Sequence, residues 1–234
     1  GDHDYIKEDS FYRTFRWATN VTFFDTEEQH CVEIPEKNIF VYGLSFEHKE
    51  VRSPLYDEWK PVNKPGFHVL LAHGGDLSCC PMDFTGLAAA GFDYVALGHS
   101  HKPHTVCRDK IAYSGSLEPL DRNDLGKHGY IQGEYEDGNV KVRLVPCANR
   151  SYQNLVLNVD RDTTQYKLEE MLRSEVMRRG GRNIYRLILK GRVSPDNVLL
   201  TERLHGLGNI VEIMDESRPA YNIEELYRQY RGTL

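Results

Sequence analysis

The sequence predicts an α/β protein in two parts, with a first domain over residues 1–148 and a small α+β domain over residues 149–234. Two continuous apolar runs, at residues 67–72 and 93–97, are typical of strands buried on both faces of a parallel sheet. Beyond residue 149, a strand-helix-strand-helix-strand pattern predicts a second compact unit. The segment 146–151, which contains Pro146 and several polar residues, predicts the boundary between them.

The first domain is predicted to be rich in strands. Segments 20–24, 31–34 and 38–46 carry the β-branched and aromatic residues that favour strands, and the buried run 67–72 follows them. Residues 83–90 predict a short helix, with Asp83 at its start and Gly91 at its end. Strands are then predicted at 93–97 and 111–113. The last two strands, 129–135 and 140–145, flank Asp137 and Gly138, a dipeptide typical of a hairpin turn.

In the second domain, residues 152–159 alternate as a strand and residues 164–179 form an amphipathic helix that ends at a Gly-Gly pair. A strand over 183–190, a helix over 194–204 with Pro195 in its first turn, and a strand over 208–214 follow. A final helix is predicted over 222–231.

Composition limits the class of protein. The chain has 234 residues, is 40% hydrophobic and 27% charged, and carries a net charge of −6. These values are typical of a soluble globular protein. No apolar run approaches the roughly 18 residues of a membrane span, so a membrane is not an expected partner. The five cysteines include no Cys-x-x-Cys pair, which predicts reduced thiols and a cytoplasmic location.

A basic stretch in the second domain is a candidate DNA-binding surface. Between residues 173 and 192 the chain carries several arginines, among them Arg178, Arg179 and Arg182, and Glu175 is the acid in that stretch. Such a surface binds a phosphate backbone. The alternative is a solvated helix end, because Lys and Arg are favoured at helix carboxyl termini.

Histidines at predicted strand ends are the strongest chemical signal. His73 ends the run at 67–72, and His99 and His101 follow the run at 93–97, directly after Gly98. Binding sites of open α/β sheets lie at such strand ends, and neutral imidazole binds Mn, Fe, Zn or Ni. In extended backbone, residues 99 and 101 share one face. The alternatives are a surface His-x-His pair and a structural His73.

These motifs resemble those of calcineurin-like metallophosphoesterases. The resemblance rests on Gly-Asp-His-Asp at residues 1–4, His73, Gly-His-Ser-His at 98–101 and Tyr-Ser-Gly-Ser-Leu-Glu at 113–118. Within that superfamily the chain looks most like the DNA-repair exonuclease branch, the relatives of the SbcD and Mre11 nuclease subunits. The resemblance implies part of a two-sheet α/β/β/α sandwich, followed by a capping domain that helps to hold DNA. It covers residues 1–145 well and the rest loosely.

The chain departs from the family pattern in two respects. In the family, an Asp-x-His motif and a Gly-Asp motif precede Gly-Asn-His-Asp, and no pair that could substitute for them follows a strand elsewhere in this sequence. Gly75-Asp76 follows His73 directly and is interpreted as a loop, so we expect a carboxyl-terminal part of a longer protein. The missing motifs would carry most ligands of one metal. Asp2 also stands where the family usually has asparagine, and it supplies a charged oxygen in place of an amide carbonyl.

The resemblance implies a role for each motif residue. Asp2, His73 and His99 would bind one divalent metal, and His101 would contribute to a second. His3 would be the catalytic histidine, and Asp4 would fix its tautomer. The alternative for His3 is disorder at the chain end. Mixed imidazole and carboxylate ligands favour two Mn²⁺ ions, with Fe²⁺ or Zn²⁺ as alternatives.

Three functions follow as hypotheses. The first is a metal-dependent DNA exonuclease that works with an SbcC/Rad50-like ATPase and forms a homodimer. The second is a phosphoesterase acting on a small phosphodiester or nucleotide, because a fold does not fix the substrate. The third is a non-enzymatic binding module, if this part acts alone.

Overall fold

A computed structural model describes residues 1–221, 227, 228 and 231. The chain divides into two compact units. The first comprises Gly1–Leu120 and Lys127–Ala148, and the second comprises Asp121–Gly126 together with the chain from Asn149 onward. Residues 121–126 thus belong with the second unit, although the sequence analysis placed them in the first domain. The helix predicted over 222–231 lies, for the most part, outside the described residues.

A six-stranded mixed sheet organises the first unit, in the order β1-β2-β3-β4-β6-β5. Strands β2, β3, β4 and β6 are parallel, and the two edge strands pair antiparallel to their neighbours. The strand bounds are β1 His30–Ile34, β2 Ile39–Gly43, β3 Phe67–His73, β4 Tyr94–Gly98, β5 His104–Cys107 and β6 Ile111–Tyr113.

Burial explains why the apolar runs form the centre of this sheet. Leu70 of β3 and Val95 of β4 are fully buried, and Leu87 of helix α2 (Phe84–Ala89) packs in the same core. The α1 helix is a single turn at Phe11–Thr14. The Asp83 carboxylate caps α2 by accepting a hydrogen bond from the Thr85 N–H, as the sequence predicts. Parallel pairing with helical crossovers places the carboxyl ends of β3 and β4 at one edge of the sheet.

The predicted hairpin forms a second, two-stranded sheet in the first unit. Strand β7 (Gly129–Glu136) pairs with β8 (Asn139–Pro146), and Asp137 and Gly138 both have positive φ, of 49° and 78°. This backbone is that of a type I′ turn, which an Asp-Gly pair favours. The Tyr135 ring lies 4.6 Å from that of Phe67, so the hairpin covers part of the larger sheet. A cavity of about 730 Å³ lies between the two sheets. This mixed α/β arrangement is consistent with a metallophosphoesterase-like sandwich.

The second unit follows the predicted order of elements. The parallel strands β9 (Tyr152–Val159), β10 (Ile184–Val193) and β11 (Ile210–Asp215) form its sheet, with β10 in the centre. The short β12 (Arg218–Pro219) pairs with the end of β10. Helix α3 (Gln165–Arg179), capped by the Thr164 hydroxyl, buries Leu168, Leu172 and Val176 against this sheet's core. Within the part of the chain that the structure describes, no helix is long and apolar enough to cross a membrane.

Two predicted elements are wrong. Residues 20–24 are irregular, because their aromatic side chains pack against other parts of the unit while the Phe24 carbonyl accepts a hydrogen bond from the Ser45 hydroxyl. The predicted helix over 194–204 is a 3₁₀ helix at Thr201–Leu207. The residues before it bond to the start of α3, with the Leu200 N–H donating to the Gln165 side chain at 2.8 Å. The edge strand β5 was not predicted.

Candidate metal centre

Two of the predicted histidines meet at the carboxyl end of the larger sheet. His73 is the last residue of β3, and its register partner in β4 is Gly98, so His99 begins the next loop beside it. The two imidazole rings lie 5.3 Å apart, at 71° to each other. Their proximity is a direct result of parallel pairing between neighbouring strands.

The amino-terminal motif brings a carboxylate to these two histidines. Asp2 Oδ1 lies 2.8 Å from His73 Nε2 and 3.7 Å from His99 Nδ1. Gly1 makes this approach possible, because a Cβ there would stand 2.5 Å from His73 Cε1. Asp2, His73 and His99 therefore form the group that the resemblance implied for one metal.

The backbone at His99 adopts a strained conformation. His99 has a φ of 98°, a region that L-residues rarely adopt. Strain of this kind persists where surrounding structure fixes it, and it is frequent at functional sites. Gly98 is also confined, because a Cβ on it would lie 3.0 Å from His73 Nδ1.

The loop at residues 74–80, which we call the 74–80 loop, adds two side chains that the sequence analysis did not assign to the site. Asp76 Oδ2 lies 3.1 Å from His99 Nε2. A carboxylate in this position fixes the imidazole tautomer and leaves Nδ1 facing Asp2. Cys79 belongs to the central group itself: one ligand atom each from Asp2, His73, Cys79 and His99 lie within 4.8 Å of one another. Two imidazole nitrogens, a carboxylate oxygen and a sulfur suit a first-row divalent cation.

The electrostatics of the group favour an ionised carboxylate beside a neutral imidazole. Burial raises the pKa of Asp2, but the hydrogen bond from His73 and the charges of His3 and His73 outweigh it and hold this pKa below its ordinary value. Burial lowers the pKa of His73 despite its bond to Asp2. For Asp76, the Ser78 hydroxyl bond is the main cause of a pKa lowered to about 2. A negative oxygen beside a neutral imidazole is what a cation requires.

His3, Asp4 and His101 occupy different surroundings from the central group. The His3 side chain is 81% exposed, and its Nδ1 lies 3.3 Å from Asp2 Oδ1. Asp4 contacts the Gly1 amino group at 2.6 Å and the Tyr12 hydroxyl at 3.4 Å, so Asp2 is the carboxylate nearest the His3 ring in these contacts. His101 lies outside the central group, and its carbonyl accepts the Ser116 N–H at 3.0 Å. The roles predicted for these three residues stay predictions.

An aromatic cluster borders the amino-terminal motif. The Tyr12 ring stacks with Trp17 and with Phe23, at interplanar angles of 7° and 5°. Phe15 contacts Trp17, and Phe11 lies 4.9 Å from Phe15. We refer to Phe11, Tyr12, Phe15, Trp17 and Phe23 as the aromatic cluster. Two of its members, Phe11 and Phe15, are 63% and 46% exposed, which is unusual for phenylalanine.

The predicted DNA-binding arginines are partly neutralised in the second unit. Glu175 receives two hydrogen bonds from Arg178, at 3.0 and 2.7 Å, and one from Arg179 at 2.9 Å. Bonds first from Arg178 and then from Arg179 lower the pKa of Glu175 to about 2. Arg182 is exposed in the turn after α3. The alternative hypothesis for this stretch, a solvated helix end, therefore gains support at Arg178 and Arg179.

Comparison with known proteins supports the resemblance at the level of the superfamily. No family model matches the sequence. The uncharacterized metallophosphoesterase YhaO of Bacillus subtilis strain 168 is 22% identical over 205 residues, which cover 82% of this chain and 50% of that protein. The chain thus spans about half the length of this curated relative. The name of this relative supports membership of the metallophosphoesterase superfamily but does not indicate a branch of it.

Proposed function

We propose that this chain is part of a metal-dependent phosphodiesterase, and more specifically of a cytoplasmic DNA exonuclease of the SbcD/Mre11 type that acts in DNA repair. One observation carries the proposal: Asp2, His73 and His99 come from three separate parts of the sequence, yet they place ligand atoms within one small group. The metallophosphoesterase relative supports the same chemistry.

The residues of this group would hold one divalent cation. A bound dication neutralises phosphate charge and lowers the pKa of water, which are the two requirements of phosphodiester hydrolysis. We assign His101 to a second cation, as the resemblance implies. Most ligands of that cation belong, in the family, to the Asp-x-His and Gly-Asp motifs that precede Gly-Asn-His-Asp.

The exposure of His3 supports its assignment as the group that meets the substrate. Its imidazole is exposed at the rim, while the contact between its Nδ1 and Asp2 orients the ring. Nε2 is then free to face solvent, where it would contact a phosphate oxygen and donate a proton to the leaving oxygen. Asp4 supports the same loop through Tyr12.

The aromatic cluster favours a nucleic acid over a simple phosphodiester. Exposed aromatic rings stack with bases irrespective of sequence, at about 1–3 kcal/mol per base. Exposed Arg13 and Arg16 lie within the same segment, and they would contact phosphates next to the stacked bases. This cluster lies directly beside Asp4, whereas Arg178 and Arg179 are already paired with Glu175. An SbcC/Rad50-like ATPase and a second copy of the chain remain proposed partners, through the resemblance alone.

Metal-dependent hydrolysis is the first test. The chain, joined to a segment that supplies the family's Asp-x-His and Gly-Asp motifs, would be assayed on a chromogenic phosphodiester with Mn²⁺, Fe²⁺, Co²⁺ or Zn²⁺. The same assay would be run on His99→Ala and on His48→Ala, an exposed histidine of a surface loop. We expect turnover that needs metal, is lost in H99A and is kept in H48A. If no protein showed metal-dependent turnover and H99A bound DNA as well as the natural protein does, the binding-module hypothesis would gain support.

A second assay separates the exonuclease from a phosphoesterase on small substrates. Phe11→Ala should weaken single-stranded DNA binding and slow DNA degradation, with chromogenic turnover retained. Tyr166→Ala is the matched control, because Tyr166 is 74% exposed on α3 in the second unit. An equal loss on both substrates in F11A would indicate a structural role for Phe11 and would remove this support for DNA.

A further inference from the structure

Cys79 is held with its thiol among the metal ligands by the fold of the 74–80 loop. The Gly75 N–H donates to the carbonyls of Cys79 and Cys80, at 3.0 and 2.9 Å, which closes the loop on itself. The Cys79 N–H donates to Asp76 Oδ1 at 3.0 Å. Gly74 and Gly75 both have positive φ, of 117° and 113°, so the turn depends on glycine.

The two adjacent cysteines differ in whether the sulfur joins the candidate ligand group. Both are buried, at 3% and 0% exposure. The sulfur of Cys79 shares the group of Asp2, His73 and His99, whereas Cys80 is outside it. Both cysteines belong to the buried core of the first unit, where the Cys80 N–H donates to the Val51 carbonyl at 2.6 Å. Of the two thiols, only the one at Cys79 is positioned to contact a cation bound by the group.

We propose that Cys79 is a metal ligand, so that this chain by itself offers a four-donor N₂OS site that selects Zn²⁺ or a similarly thiophilic dication over Mn²⁺. Thiolate is a soft donor that favours zinc, while manganese prefers oxygen ligands. Four donors of this kind match the tetrahedral coordination of zinc. On binding, the Cys79 S–H bond breaks, its proton passes to solvent, and the sulfur electron pair forms the bond to the metal.

This inference rests on the proposed metal site and changes its expected metal. Imidazole and carboxylate ligands alone favour Mn²⁺. A sulfur in the group reverses that preference. The burial of Cys79 is consistent with a ligand that the protein protects from solvent and oxidants.

Cobalt spectroscopy tests the assignment without relying on activity. The metal-free chain would be titrated with Co²⁺, which reports thiolate ligation as a sulfur-to-metal charge-transfer band in the near ultraviolet. We expect this band in the natural protein and in Cys80→Ser, the matched buried control. Cys79→Ser should lose the band and bind Co²⁺ at least about tenfold more weakly through the remaining ligands, because loss of even an outer-shell partner costs about 10–100-fold. In competition at equal concentrations, Zn²⁺ should be retained over Mn²⁺ by the natural protein, and this preference should shrink in C79S.

The outcomes distinguish the two proposals. Cobalt bound with the same spectrum in C79S and in the natural protein would remove Cys79 as a ligand and leave the metal site intact. Binding that is absent, or that is unaffected by His73→Ala, would overturn the metal site and the proposed function with it. X-ray absorption on the zinc-loaded natural protein gives a measurement free of any variant: a sulfur neighbour at about 2.3 Å supports the proposal, and a shell of nitrogen and oxygen alone contradicts it.

Discussion

A single methyl group at Gly75 should disturb both the core and the metal site of the first unit. Alanine at this position would retain a φ of 113°, a sparsely populated region that costs an L-residue about 1–3 kcal/mol. Its Cβ would also collide with the Tyr113 hydroxyl and approach Phe84 Cζ to 2.8 Å. Tyr113 is 5% exposed, so it has little room to move.

The collision would break a buried hydrogen bond. The Tyr113 hydroxyl donates to the Gly74 carbonyl at 2.7 Å. Burial, followed by the charges of Asp76 and Cys79, raises the pKa of Tyr113 to about 12, so the hydroxyl is a donor throughout the working pH range. Loss of such a bond leaves a buried carbonyl without a partner, at a cost of about 1–3 kcal/mol. Gly75→Ala should therefore destabilise the first unit by this amount beyond the cost of the backbone strain.

Gly138→Ala is the control that introduces backbone strain without a steric collision. Gly138 belongs to the same unit and also has positive φ, but a Cβ there meets nothing within 4 Å. Both tryptophans, Trp17 and Trp59, lie in the first unit, so denaturant unfolding followed by tryptophan fluorescence reports on this unit. Cobalt titration would measure the site in parallel. We expect G75A to be about 1–3 kcal/mol less stable than G138A and to bind cobalt more weakly. Equal stability and equal metal affinity in the two variants would refute the account of the 74–80 loop.

Two further variants test other parts of the chain. Glu175→Gln removes the acid that pairs with Arg178 and Arg179, so DNA affinity at low salt should rise and its dependence on salt should steepen by roughly one phosphate contact. Glu202→Gln is the control, because Glu202 is an exposed acid outside these ion pairs. The same rise in DNA affinity in both variants would show that only the net charge of the chain matters. Asp83→Ala removes the cap of α2 and should lower the free energy of unfolding of the first unit by about 1 kcal/mol, measured by tryptophan fluorescence, with metal content unchanged; a loss of metal would mean that α2 supports the site.

The part of the site that follows strand geometry is accessible from the sequence. The apolar runs predict β3 and β4, with His73 and His99 at their carboxyl ends, where sites of α/β sheets lie. The resemblance alone implied that the two histidines share one metal, and the structure pairs the two strands as parallel neighbours. The same logic predicted the cap at Asp83 and the hairpin at Asp137 and Gly138, because each depends on two or three adjacent residues.

The two side chains that the 74–80 loop brings to the site could not be predicted from strand geometry. Asp76 and Cys79 reach the site because the 74–80 loop folds back on itself, and that fold depends on backbone hydrogen bonds between residues several positions apart. The Gly74-Gly75 pair directly after His73 was the available signal, since two glycines at a strand end indicate a turn with positive φ. The aromatic residues at 20–24 led to the wrong prediction of a strand. Strand propensity reflects a preference for packed surfaces, and here that packing occurs in an irregular segment.

The division between strand donors and loop donors suggests how the site sets its metal. His73 and Asp2 contribute the nitrogen and oxygen that any first-row dication accepts, and their positions depend on the sheet and on the contact with Gly1. The 74–80 loop supplies the sulfur of Cys79 and the carboxylate of Asp76 that orients His99. The 74–80 loop thus determines whether the donor set includes a soft sulfur ligand, and it also orients the His99 imidazole. Changes in this loop should alter which metal is bound before they abolish binding, whereas changes at His73 should abolish it.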